Sequence, residues 1–335
     1  MFYCRTKNFV AMIIRLLTLL VTIMLFLFAT NIRVSAPQQP TQGPGGKDYK
    51  HNKVNQSFYG RSLQDWYWLF EPEAPKPDSA YIIVYWHGVT NHSPQNIYKE
   101  NQEFIYHLVK KGYTIVVPVF QHDSRNIPTS IRLRNAATTL HAAFDELMTG
   151  NHVKPICDSL GRIIYGSIGY SLGGSMTSYT AHLSNSMELP PPKAICLLVP
   201  ALGSGQYTGI PCDTKLLLIS GDRDVNQKKH LSIDWYQFKH ILPENKRLIV
   251  LRSDYHGVPK MVADHRFPVS GSNAGDSTTL NALDYFGVWK LTESLMQCAF
   301  SNTNCDFVFS DTLKICNMGN WSDGQPMKKA IIIGN

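Results

Sequence analysis

Residues 169–173 read Gly169-Tyr170-Ser171-Leu172-Gly173, a G-x-S-x-G spacing. Glycines on either side of a serine allow a tight turn and close packing, so that the hydroxyl is presented as a nucleophile. A serine hydroxyl is a weak nucleophile at neutral pH and needs a base, which a third group must orient. An acid is supplied downstream by "LLLISGDRDVN", where Asp222 and Asp224 compete. The base is expected in the loop after the last strand. "RLIVLRSDYHGVP" offers His256, 32 residues beyond Asp224 and followed by Gly257. Its rival is His265 in "ADHRFP", read as a substrate-loop or structural residue. Attack on an acyl carbon also needs N–H donors for the developing oxyanion. The backbone N–H of Leu172 follows the nucleophile. In "YIIVYWHGVTNHS" that of Val89 follows His87-Gly88. His87, Gly88 and Tyr170 are the expected substrate-side residues, with His87 shaping the loop.

These residues need a scaffold. Six apolar runs begin at residue 81: 81–86, 113–120, 162–169, 194–200, 215–220 and 247–251. They are continuous rather than alternating, the pattern of strands buried on both faces. Between them lie segments of helical period. In 130–148, Leu133, Ala137, Leu140, Phe144 and Leu147 form one stripe. Residues 95–111, 230–242 and 280–298 read the same way. Such alternation predicts an α/β protein. Its sheet is expected to be mostly parallel, of about eight strands, with helices on both faces. Ser171 falls where a buried strand meets a helix, at the carboxyl end of the sheet, where open α/β sheets place ligands.

The N-terminus is of another kind. Basic residues precede "LLTLLVTIMLFLFAT" (residues 16–30), and Val34-Ser35-Ala36 has the small residues of a cleavage site. Residues 1–36 therefore read as a secretory signal or, uncleaved, as a membrane anchor over 9–30. Either places the remainder outside the cytosol, secreted or extracytoplasmic. Residues 37–53, rich in Pro, Gln and Gly, are expected to be a disordered linker to a catalytic domain over 54–335. Four of the seven excess positive charges, Arg5, Lys7, Arg15 and Arg33, lie in the first 36 residues, and no basic stripe argues for nucleic acid. Six cysteines remain beyond Cys4; the close pair Cys298 and Cys305 is the one disulfide suggested. No Cys/His spacing suits zinc, and neither metal nor cofactor is expected. Asn55, Asn91 and Asn320 open glycan-acceptor triplets.

Taken together, "HG" at 87–88, "GYSLG" at 169–173, "GDRD" at 221–224 and "YHG" at 255–257 resemble the α/β-hydrolase fold serine hydrolases, exported esterases and lipase-like enzymes among them. The resemblance favours Asp224 over Asp222 as the acid and leaves Asp222 as a turn residue. It implies an acyl-enzyme mechanism on carboxylic esters or thioesters. Acyl transfer, peptide cleavage and a non-catalytic binding role on the same fold are the alternatives. Many members carry a helical cap where this chain has only residues 201–214, so little or no cap is expected. An open site of that kind would suit bulky or polymer-linked esters better than small enclosed ones. Residues 258–279 form a longer connection than usual, either a flap or a surface loop.

Overall fold

The computed structural model describes residues 12–21, 33–62, 64–121, 127–203, 205–225, 231–269 and 280–333. The strands are β1 (Lys53–Tyr59), β2 (Tyr67–Glu73), β3 (Ser79–Ala80), β4 (Ile82–Trp86), β5 (Thr114–Pro118), β6 (Lys154–Pro155), β7 (Tyr165–Tyr170), β8 (Ala194–Leu198), β9 (Lys215–Gly221), β10 (Lys246–Leu251) and β11 (Ile331–Ile333). Nine of them form one mixed sheet in the order β1-β2-β5-β4-β7-β8-β9-β10-β11, and β3 pairs with β6 apart from it. The centre, from β5 to β10, is parallel; β1, β2 and β11 are antiparallel additions at the edges. The six apolar runs became the six parallel strands. Among the described residues the sheet has nine strands rather than the expected eight or so, its six central strands parallel as expected and its outer strands antiparallel. An edge strand buries little on its outer side, so β1 ("KVNQSFY") lacks the continuous apolar signature.

Helices α1 (Gln102–Lys110), α2 (Thr129–Thr149), α3 (Leu172–His182), α4 (Leu231–Tyr236), α5 (Lys290–Ser301) and α6 (Thr312–Cys316) cover the sheet. Side chains alternate across each strand, and the core divides accordingly. Ile83, Tyr85, Ile115 and Val117 pack with Ile105 and Leu108 of α1 and Leu295 of α5. On the opposite face Ile82, Val84 and Trp86 pack with Leu140 and Phe144 of α2 and Met176 of α3. Each such fully buried aliphatic contributes roughly 1.5–3 kcal/mol. The expected helix over 280–298 is present as a π-helical run, Leu283–Trp289, continuing into α5.

Residues 37–53 do not form a free linker. Glu293 of α5, buried, accepts the Gly45 N–H at 2.8 Å and faces His107 Nε2 at 3.2 Å and Lys111 Nζ at 3.3 Å. Lys111 also meets Asp48 at 2.6 Å and donates to the Gly43 carbonyl at 3.0 Å. β1 starts at Lys53, inside the expected linker. Composition counts apolar groups and finds few here; what holds this segment is hydrogen bonding to buried charges, which need partners. Residues 12–21 are helical, residues 22–32 lie outside the described set, and no described helix is long and apolar enough to cross a membrane.

Candidate functional site

Ser171 stands between β7 and α3, at φ 52° and ψ −117°. This left-handed backbone is rare for a residue with a Cβ, and such strain gathers at functional sites. The corner is held from three sides: Ser171 N donates to Leu198 O at 3.0 Å, and Gly174 N and Ala201 N donate to Ser171 O, each at 2.9 Å. The two glycines of the motif serve close approach. A Cβ on Gly169 would overlap the Gly173 backbone, and one on Gly173 would overlap the Trp86 carbonyl at the end of β4. The start of α3 is thereby pressed against the β4 exit loop, the first half of the expected oxyanion site.

His265 Nε2 lies 3.0 Å from Ser171 Oγ, and His265 Nδ1 lies 2.8 Å from Asp224 Oδ2. A carboxylate oxygen only accepts, so Nδ1 is the donor to Asp224, which leaves Nε2 facing the serine hydroxyl. The Asp224 side chain is fully buried and that of His265 is 29% exposed, so the carboxylate is shielded while the imidazole is open to a ligand. Of the competing aspartates, the second is the one in the hydrogen-bonded chain with Ser171.

His256 is elsewhere. Its Nε2 pairs with Asp323 at 2.7 Å, and its ring meets Trp321 edge-on at 5.7 Å. The imidazole beside Ser171 is that of His265, which replaces His256 as the candidate base. The cause lies in the loop after β10. Asp254 and Met261 exchange backbone hydrogen bonds, 2.9 and 2.8 Å, closing a hairpin whose tip carries residues 255–260 away from the sheet. The chain then returns: Arg223 N donates to Ala263 O at 2.9 Å, two residues before His265. Asp222 is not a plain turn residue either. It accepts from Ser253 N at 3.0 Å and from Ser253 Oγ at 2.6 Å, and that hydroxyl in turn accepts from Ala263 N at 3.0 Å. The "GDRD" turn thus holds both ends of the hairpin with Asp222 while offering Asp224 to His265. The connection over 258–279 is where His265 lies; its residues 270–279 are outside the described set.

Tyr170 is buried, and its hydroxyl donates to the His265 carbonyl at 3.2 Å. A Cβ on Gly88 would come within 2.8 Å of the Tyr170 ring and 3.4 Å of Ser171 Cβ, so Tyr170 ties the His265 backbone to the strand that leads into Ser171, beneath the β4 exit loop. Expected as a substrate-side residue, it is placed instead as a support. Leu172 is the first residue of α3, whose N–H has no acceptor within the helix. Val89 is exposed beside Gly88. His87 Nδ1 donates to Gly88 O at 2.7 Å, and its ring stacks on Phe120 at 4.4 Å. In a trans peptide the Val89 N–H points opposite to that carbonyl, so His87 sets the direction of the candidate donor.

Burial pushes His87 down to about 4. Its neutral form stabilises the fold, a contribution fully present above the unfolded value of about 6.5 and lost as the pH falls towards 4. Between pH 7.5 and 5 the wild type is expected to lose about 2 kcal/mol more stability than His87→Gln. Urea unfolding of both proteins at the two pH values checks it; equal losses would assign the acid sensitivity to another group.

Between β8 and β9 no helix occurs among the described residues, and Tyr207 and Ile210 fold that connection onto the core. No cluster of three potential metal ligands occurs among the described residues. Cys298 and Cys305 form a disulfide, while Cys157, Cys196, Cys212 and Cys316 are free.

No protein-family model and no curated protein matches the chain. Among solved structures it is similar to esterase B from Lactobacillus rhamnosus, with 12% identity, a TM-score of 0.44, and coverage of 61% of this chain and 77% of that one.

Proposed function

We propose that this chain is a serine hydrolase that cleaves carboxylic esters or thioesters with Ser171 as nucleophile, His265 as base and Asp224 as orienting acid. The observation that carries the reading is the continuous hydrogen-bonded series Ser171–His265–Asp224, 3.0 and 2.8 Å, at a strained strand-to-helix corner. In this reading His265 Nε2 takes the Ser171 proton as Oγ attacks the acyl carbon. The Leu172 and Val89 N–H groups hold the oxyanion. Protonated His265, stabilised by Asp224, then gives the proton to the leaving alcohol or thiol. Water, deprotonated by the same nitrogen, releases the acid and restores Ser171. Losing one oxyanion donor costs about 10²–10³-fold in such sites. The disulfide and the N-terminal apolar run support a location outside the cytosol.

A fluorophosphonate probe tests the assignment. The expected result is one adduct, on Ser171, absent from Ser171→Ala. Unchanged labelling of Ser171→Ala, or none of the wild type, would overturn it. A series of p-nitrophenyl esters of rising acyl length on the same sample reads the acyl preference.

A further inference from the structure

Residues 34 and 35, which follow the N-terminal apolar run in the sequence, are joined to the rim that carries the candidate site. Val258 N donates to Val34 O at 2.8 Å, Ser322 N donates to Ser35 O at 3.0 Å, and Ser35 N donates to Ser322 Oγ at 2.9 Å. Val258 sits at the tip of the hairpin that precedes His265. The apolar run ends at Thr30, leaving residues 31–33 before Val34. Four steps of chain span at most roughly 14 Å. The headgroup layer of one leaflet is about 5–8 Å thick. If residues 16–30 are embedded in a bilayer, this rim lies at its surface.

The composition of the rim agrees. The parallel strands all end at this edge of the sheet, and the loops leaving them expose Val89, Val225 (73%), Tyr255, Val258 (56%) and Val262. Arg33, Lys260, Arg266 and Lys328 are exposed beside them. Exposed apolar groups interspersed with lysine and arginine are the surface that binds anionic lipid interfaces. Two acidic groups here make local contacts, Asp323 with His256 and Asp264 with the Arg266 N–H at 2.8 Å. The small-residue site at 34–36 bears on the same point, since cleavage after Ala36 would remove the residues that pair with Val258 and Ser322.

We infer that residues 33–36 are retained and that the Ser171 rim docks on a bilayer surface, held there by the adjoining apolar run. On the hydrolase reading above, the substrate class is then the acyl ester of a bilayer lipid. Amine acetylation of the full chain, with and without phosphatidylcholine–phosphatidylglycerol vesicles, tests the docking without using enzymatic activity. Lys260 and Lys328 lie on the rim, whereas Lys76 and Lys154 are exposed at the opposite edge of the sheet. The expected result is at least threefold slower acetylation of Lys260 and Lys328 on vesicles, with Lys76 and Lys154 unchanged. Equal rates at all four, failure to sediment with vesicles, or a purified chain whose mass begins at Pro37 would overturn the docking. The fluorophosphonate result separates the two ideas. Labelled Ser171 without lysine protection rejects only the docking. Lysine protection without labelling keeps the docking and removes the lipid-ester substrate.

Discussion

His265→Ala is expected to lower kcat/KM on a soluble p-nitrophenyl ester by about 10⁴-fold or more, and His256→Ala by less than about threefold. The first magnitude is that of removing a triad member, which leaves only binding and oxyanion stabilisation. It rests on the 3.0 Å approach of His265 Nε2 to Ser171 Oγ. The second rests on the pairing of His256 with Asp323, at the hairpin tip rather than at the serine. The comparison is sharp because both residues lie on one loop, so a general disturbance of that loop would affect both. Steady-state kinetics with matched circular dichroism and thermal melts decides it. Asp224→Asn should fall with His265→Ala, since the ring would lose the partner that fixes its tautomer. A large loss in His256→Ala with activity kept in His265→Ala would reject the assignment and restore the histidine that sequence position favours.

Gly173→Ala is expected to lose about 3 kcal/mol of stability, more than an ordinary helix-interior change, with a drop in activity larger than the unfolded fraction accounts for. Alanine is normally the better helix former by about 1 kcal/mol, so the expected sign is opposite to propensity. Packing explains it: the new Cβ would overlap the Trp86 carbonyl and lie 2.8 Å from the His87 carbonyl. Helix α3 would have to move away from the β4 exit loop, separating the Leu172 and Val89 N–H groups that are proposed to converge on one oxygen. Urea unfolding and esterase kinetics on the soluble variant test it. A variant as stable as the wild type would show that the helix and loop are free to part.

The six central strands were legible because a strand buried on both faces must be apolar along its whole length. The edge strands β1 and β11 were not, because burial on one side leaves no continuous run; β2 ("YWLFEPE") lies between β1 and β5 and is mostly buried, but Glu71 and Pro72 interrupt its apolar pattern. Ser171 was legible because backbone geometry forces small residues around it, and those survive as a local pattern. The competition between Asp222 and Asp224 was narrowed by resemblance, and the structure gives each a separate task. The choice of which histidine lies beside Ser171 failed for a physical reason. Distance along the chain after β10 predicts position only if the loop leaves the sheet directly, and the Asp254–Met261 pairing is a long-range closure that no local spacing encodes. The segment before residue 54 was misread in the same way, since its partners Glu293 and Lys111 are remote in sequence.

The loop between Ser253 and Ala263 is tied at its base by Asp222 and by the Asp254–Met261 backbone bonds, while its tip meets Val34. A stem fastened in this way sets the course of the loop apart from the side chains exposed at its tip. The exposed side chains of the tip, Tyr255, Val258 and Lys260, take no part in those ties, whereas Gly257 is packed against Trp321 and the Val34 carbonyl and leaves no room for a side chain. Reaction chemistry and surface preference would then be free to diversify independently, the one conserved by the stem and the other rewritten at the tip.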